Sequence, residues 1–148
     1  MRKPEQLIWD AMKRNAPQNV WLQRIENIAV DGMPDVHVTH AFAAPDCWVE
    51  LKAATLPKRP GTRVLGPRGL RQSQINWHIE CCARKGRSFI LIRDESLTLY
   101  LVPGSFARSL NDATVADIST IGVVALSWPR VFRALACPYS WQLEARNG

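Results

Sequence analysis

The sequence predicts an α/β fold in which helices flank a mixed β-sheet. Three observations support this prediction. Apolar residues recur at helical spacing near the N-terminus and again over residues 70–85. Short segments rich in β-branched residues are typical of strands, as over residues 34–40. The order strand, helix, strand over residues 48–93 implies a right-handed crossover, and therefore a parallel pair within the sheet.

The overall composition is that of one globular domain covering residues 1–148. The chain has 148 residues, of which 47% are hydrophobic and 22% charged, which excludes a disordered tail and a coiled coil. No apolar run approaches the roughly 18 residues of a membrane span, and no secretory leader is expected. The four cysteines show no C-x-x-C spacing. We therefore expect reduced thiols, a cytoplasmic location and no membrane partner.

The first half of the chain is expected to contain one helix and a hairpin. Residues 4–14 have helical spacing, with Pro4 in the first turn. Residues 20–28 fit either a second short helix or an irregular approach to a strand, and their periodicity does not decide between them. Residues 34–40 and 47–53 read as two strands, and their short connection predicts an antiparallel hairpin.

A long loop and the strongest helix follow the hairpin. Residues 55–69 contain three prolines and three glycines, which predicts a loop of a length that is often functional. Residues 70–85 predict a helix with Gly86 just after its end. Its expected apolar face consists of Leu70, Ile75, Trp77, Ile79, Cys82 and Ala83.

The remaining elements become harder to predict towards the C-terminus. Residues 88–93 and 97–102 predict strands, and residues 104–110 a short helix. Residues 122–128 and 129–137 are weaker candidates for a strand and a helix. The C-terminal extension, residues 103–148, is apolar enough either to form an interface between two copies or to cover the sheet, and we slightly favour the second interpretation.

The positive charge is concentrated in one segment. Residues 52–87 hold nine basic side chains and one acidic one, whereas the other 112 residues carry ten basic and twelve acidic side chains. Such a segment on a nearly neutral body is typical of a protein that binds nucleic acid, although a solvated loop is an equally good interpretation of composition alone.

Three charged residues on the predicted hairpin form a candidate catalytic site. Glu50 and Lys52 lie on one face of their strand, because side chains alternate along a strand. The hairpin can bring Asp35 beside Glu50. Two neighbouring carboxylates repel each other unless a cation lies between them, and Mg²⁺ prefers such oxygen ligands. This chemistry suits the hydrolysis of a phosphodiester.

The order of these residues resembles the PD-(D/E)XK nuclease superfamily, in particular phage and virus-type replication-repair nucleases and Holliday-junction-resolvase-like endonucleases. The resemblance covers residues 20–102 and rests on four elements in order: Arg24-Ile25-Glu26, Gly32-Met33-Pro34-Asp35, Glu50-Leu51-Lys52, and Gln74 on the following helix. It implies a restriction-endonuclease-like αβββαβ core. It also implies a Mg²⁺- or Mn²⁺-dependent DNA endonuclease acting on branched or junction DNA in phage or bacterial recombination, repair or genome processing.

The resemblance also implies a role for each residue of the motif. The metal ligands would be Asp35, Glu50 and the Leu51 carbonyl, with Glu26 as an additional acid acting directly or through water. Lys52 would be the catalytic lysine. Gln74 would contact the site or the phosphate, and we prefer it to Gln72, which lies on another face of the helix. The basic residues expected at the mouth of the site are Lys58, Arg59, Arg63, Arg68 and Arg71.

Other interpretations remain at this stage. Asp35 could be a turn residue, Glu50 and Lys52 a solvated pair, and Trp77 is expected in the core rather than stacked on a base. The chain could be a binding module without activity, or a nuclease for RNA or for a specific duplex sequence. A homodimer is left open, because a four-way junction has two-fold symmetry. A phage-encoded protein would act in the host cytoplasm.

Overall fold

The computed structural model describes residues 3–26, 30–41, 45–55, 59–125 and 127–137. They form a six-stranded mixed sheet with helices packed against it, which confirms the predicted α/β class. The strands are β1 (Val20–Arg24), β2 (Val36–His40), β3 (Cys47–Ala53), β4 (Ser88–Arg93), β5 (Leu99–Pro103) and β6 (Val123–Ala125). The helices are α1 (Pro4–Asn15), α2 (Gln72–Ala83), α3 (Ala107–Leu110), α4 (Val115–Ile121) and α5 (Trp128–Ala136).

Strands that follow each other in sequence are neighbours in the sheet, in the order β1 to β6. β3 and β4 run parallel, and Glu50 lies opposite Ile90 in their register. The other described neighbours are antiparallel, including the predicted β2–β3 hairpin. α2 lies between β3 and β4 in the sequence, so it forms the predicted crossover.

The two faces of the sheet have different neighbours. One face, with Val49 and Leu51, belongs to a hydrophobic cluster that includes residues of α1 and α5. The opposite face, with Ile90 and Ile92, packs against residues of α2, α3 and α4. Because side chains alternate along β3, Glu50 and Lys52 point to the face that α2 covers. The fold thus places the charged pair beneath a helix.

Two segments differ from what the sequence predicts. Residues 20–24 form a regular strand, rather than a short helix or an irregular approach to a strand, while residues 27–29 lie outside the described part. α4 was not predicted. It buries a single residue, Ile118, but it begins with a capping box in which Thr114 and Asp117 bind each other's backbone N–H groups.

α2 ends earlier than predicted, at Ala83, and Lys85 rather than Gly86 adopts the left-handed conformation, with φ 63°. The N–H of Gly86 then donates to the Cys81 carbonyl at 2.9 Å. A β-carbon on residue 86 would lie 2.9 Å from the backbone carbonyl oxygen of Cys81. The glycine is therefore required for this close approach and not for its own φ angle.

The buried face of α2 differs from the predicted apolar face. The helix buries Gln74, Ile75 and His78, whereas Ala83 is exposed and Trp77 is only partly buried. His78 is fully buried and its Nδ1 lies 2.8 Å from Ser88 Oγ. Leu70 and Ile75 are buried and Ile79 packs against the same cluster, as predicted, but the prediction assigned only apolar residues to the inner face and so missed Gln74 and His78.

The described part of residues 103–137 belongs to the core. β6 pairs with β5, and Val131, Phe132 and Leu135 of α5 join the cluster around α1. This arrangement agrees with the favoured interpretation that this region covers the sheet. Residues 126 and 138–148 lie outside the described residues. Within the described ranges, no helix is both long and apolar enough to cross a membrane.

Candidate active site

Asp35 lies where β2 separates from β3. Their register ends at the pair Val36 and Val49, so the N–H of Leu51 no longer faces a β2 backbone partner in the ladder. Instead it donates to Asp35 Oδ2 at 2.8 Å. Arg24 Nη2 lies 3.9 Å from the other carboxylate oxygen. The side chain of Asp35 thus replaces a backbone acceptor, which fixes its carboxylate beside β3.

Glu50 is the buried acid of the site, with 3% of its surface exposed. Gln74 Nε2 donates to its Oε1 at 2.7 Å. Its Oε2 is buried and accepts no hydrogen bond from the residues that the structure describes. Burial, and then the negative charge of Asp35, raise the pKa of Glu50 to about 8, although Lys52 acts in the opposite direction.

Gln74 connects the two charged residues of β3 with the start of α2. Its Oε1 accepts from Lys52 Nζ at 3.3 Å and from the N–H of Arg71 at 2.9 Å. These two donors identify the amide oxygen, so the amide nitrogen must face Glu50. Gln72, by contrast, is exposed and donates to Asn76 at 2.8 Å. The structure therefore brings Gln74, and not Gln72, to the charged pair.

Gly32 allows the Asp35 segment to approach α2. Its φ is +83°, and a β-carbon there would lie 2.2 Å from the carbonyl oxygen of Ser73. Only glycine meets both requirements at low cost. The close contact with α2 therefore explains why a glycine occupies this position of the Gly32-Met33-Pro34-Asp35 segment. It allows the segment that carries Asp35 to pack against the helix that carries Gln74.

The donor set at this position fits a small divalent cation. Asp35 and Glu50 supply carboxylate oxygens, of which Glu50 Oε2 is buried without a donor in the described chain. The Leu51 carbonyl faces the same strand edge as its N–H, because both groups of a residue point to one neighbour. Mg²⁺ in proteins often has only one or two carboxylate ligands, so Asp35 and Glu50 are the residues that could hold one.

Glu26 is exposed and does not join this pair. The described residues contain no group of three or more histidine, cysteine, aspartate or glutamate side chains that could hold a metal ion. The N–H of the preceding residue, Ile25, donates to the Asp35 carbonyl at 2.7 Å, which extends the β1–β2 ladder up to the acid.

The predicted basic residues lie on the exposed approach to α2. Arg59, Arg63, Arg68 and Arg71 are exposed, whereas Lys58 lies outside the described residues. Arg63 pairs with Asp112 at 3.2 Å and Arg71 with Asp31 at 3.6 Å. Solvent weakens such surface pairs. Both arginines can therefore exchange these partners for a phosphate.

Sequence reasoning assigned no functional role to Arg24 or Trp48, and it placed Trp77 in the core. Arg24 belonged to the quoted motif, yet its contact with Asp35 depends on the β1–β2 register, which the sequence did not resolve. Trp48 lies on the same face of β3 as Glu50 and contacts His37 and Trp77. The alternation along β3 was the available signal for Trp48.

Comparison with known proteins identifies the fold. No protein-family model matches the sequence, and no curated protein matches it significantly. The structure is similar to that of Hjc, a Holliday junction resolvase from Archaeoglobus fulgidus, with a TM-score of 0.56 and 9% sequence identity. The match covers 88% of this chain and 97% of the resolvase. The chain therefore shares the fold of this resolvase, as the resemblance implied.

Proposed function

We propose that this protein is a single-domain, metal-dependent DNA endonuclease that hydrolyses phosphodiester bonds in branched or junction DNA. The observation that carries the proposal is the contact chain from Glu50 through Gln74 to Lys52, with Asp35 beside it. This arrangement lies on a fold shared with a Holliday junction resolvase. A nuclease fold alone would not distinguish an enzyme from a binding module.

Each side chain has a proposed task. Asp35, Glu50 and the Leu51 carbonyl would hold Mg²⁺ or Mn²⁺, and Glu26, which is exposed, would contribute only through water. The cation supplies charge neutralisation at the phosphate and activation of water. Lys52 is proposed to orient the attacking water or to stabilise negative charge on the phosphate during the reaction. Gln74 keeps Glu50 and Lys52 in position.

The basic residues would position the DNA backbone. Lys58, Arg59, Arg63, Arg68 and Arg71 are proposed to contact phosphates without reading the sequence. Arg71 is the N-cap residue of α2, directly beside Gln74, so a phosphate held there lies close to the site. A segment with this charge also favours a polyanion as the partner.

A cleavage assay with Mg²⁺ and with Mn²⁺ tests this proposal. The substrates are linear duplex, flap, D-loop and four-way DNA, together with an RNA of matching sequence. Asp35→Asn and Lys52→Ala should each abolish cleavage, while circular dichroism shows a folded protein. Exposed Arg108→Ala, on α3, serves as the control and should cleave normally.

The outcomes separate the alternatives. Full activity of Asp35→Asn or Lys52→Ala would show that the site is assigned wrongly. Binding without cleavage of any substrate would indicate a nucleic-acid-binding module. Equal cleavage of linear and four-way DNA would remove the selectivity for branched DNA, and a preference for RNA would change the substrate class. Light scattering shows whether the active species is a homodimer.

A further inference from the structure

A groove lies next to the candidate site, along the exposed side of α2. Its volume is about 730 Å³, within the range of small-molecule sites. Trp48 and Trp77 are the aromatic side chains that line it, with Ser73 and Asn76 among their polar neighbours. Neither tryptophan is fully buried. The groove therefore offers aromatic surface with hydrogen-bonding groups around it.

The position of Trp48 connects this groove to the site. Trp48 precedes Glu50 by two residues on the same face of β3, which is about 6.6 Å along the strand. His37 packs on Trp48, with 4.4 Å between the ring centroids. Trp77 meets Trp48 at 5.6 Å and His78 at 5.7 Å, in both cases edge-on. These neighbours hold both indole rings in defined planes, so the two side chains lose little conformational entropy when a ligand binds.

The charges around the groove favour an uncharged occupant. Its acidic side chains are Asp31 and Glu80, and both have arginine partners. Arg71 pairs with Asp31, and Arg84 with Glu80. The groove is thus close to neutral, in contrast to the basic approach along Arg59 and the following arginines. A phosphate group would therefore bind more favourably to those exposed arginines than in this groove.

We propose that this groove binds a single unpaired nucleobase of the DNA strand whose phosphate enters the candidate site. A nucleobase is flat and uncharged, and its edge carries donors and acceptors that Ser73 and Asn76 can meet. Aromatic side chains stack on unpaired bases of any sequence. Bases in intact duplex are not accessible, so the groove would select strands with unpaired nucleotides. This inference rests on the proposed function and deepens it.

A double-mutant cycle in EDTA, where no strand is cut, tests the proposal. Fluorescence anisotropy measures binding of a duplex with one unpaired nucleotide, and of the same duplex with an abasic residue at that position. Trp77→Ala should weaken binding of the first DNA about ten-fold and leave the second almost unchanged. Trp77→Phe should keep most of the affinity, because it keeps an aromatic ring.

Two further variants show whether weaker binding by Trp77→Ala comes from the lost aromatic ring or from a change in folding. Trp77→Leu keeps apolar volume against Trp48 but removes the stacking ring, so it should match Trp77→Ala. Trp21→Ala is the matched control, because Trp21 is 63% exposed on β1 and does not line the groove. Thermal unfolding monitored by circular dichroism identifies the folded variants.

The proposal is overturned if Trp77→Leu weakens binding of both DNAs equally, or if Trp21→Ala has the same selective effect. These results do not depend on catalysis. If the protein cleaves DNA but the double-mutant cycle shows no selective effect of Trp77, the nuclease assignment stands and the nucleobase site is refuted. A positive cycle without cleavage of any substrate would keep the base site and refute the nuclease.

Discussion

The buried carboxyl of Glu50 should make the stability of the metal-free protein fall as the pH rises. Its folded-state pKa is about 8, against an ordinary value of 4.5, so the folded protein holds this proton more strongly than the unfolded chain. The stabilising contribution is therefore fully present below pH 4.5 and is lost as the pH rises towards 8. At about 1.36 kcal/mol per pKa unit, the loss is roughly 4–5 kcal/mol.

Glu50→Gln provides the comparison. Glutamine has the shape of the neutral acid, keeps the contact with Gln74 and can donate towards Asp35. The experiment measures the free energy of urea unfolding from pH 5 to 9 in EDTA for both proteins. Wild type should lose roughly 4 kcal/mol relative to Glu50→Gln over this range.

The difference in unfolding free energy between wild type and Glu50→Gln separates the contribution of Glu50 from that of the buried histidines. Burial lowers the pKa of His78 to about 4, so its contribution is present above pH 6.5 and is lost as the pH falls towards 4. This trend opposes that of Glu50, and it occurs equally in both proteins. Identical pH profiles for wild type and Glu50→Gln would refute the reasoning.

Divalent cation should reverse the effect. At pH 8.5, Mg²⁺ or Mn²⁺ is expected to bind the ionised pair of carboxylates in the folded protein and to stabilise it by mass action. Wild type should regain stability with increasing metal concentration, whereas Glu50→Gln should gain much less. Equal stabilisation of both proteins would place the cation elsewhere.

Three more predictions concern residues around the pair. Gln74→Ala should lower cleavage about 10- to 100-fold and destabilise α2 by about 1 kcal/mol, as measured by initial rates and urea unfolding, whereas exposed Gln72→Ala should do neither. Gly32→Ala should cost at least about 2 kcal/mol of unfolding free energy, because it adds φ strain to a backbone clash, whereas Gly61→Ala, with nothing within 4 Å, should be neutral. Arg59→Ala should lower the log–log salt dependence of DNA binding by about 0.9, measured by anisotropy, and an unchanged slope would remove this phosphate contact.

Strands β2 and β4 were predictable because their hydrophobic patterns match the burial of their side chains. β4 is buried on both faces and is apolar almost throughout, and β2 alternates between buried and partly buried residues. β1 was ambiguous because it is an edge strand on which Trp21, a large apolar residue, is exposed. Periodicity assumes that such residues point inward, and this residue does not.

The candidate site was accessible from sequence only in part. Strand alternation brought Glu50 and Lys52 together, and the hairpin brought Asp35 near them. The hydrogen bond from Leu51 N–H to Asp35 was not predictable, because it depends on where the β2–β3 ladder ends. The buried face of α2 was predicted only in part, since a polar residue such as His78 becomes a core residue through its contact with Ser88 on the neighbouring strand β4.

The start of α2 links the integrity of the site to the local stability of one helical turn. The side-chain oxygen that satisfies the N–H of Arg71 belongs to Gln74, which also holds Glu50 and Lys52. If this turn frays on warming, the two charged residues lose their shared partner while the sheet below stays paired. Thermal inactivation should then begin at a lower temperature than global unfolding, and the difference between the two temperatures reports the local stability of this turn.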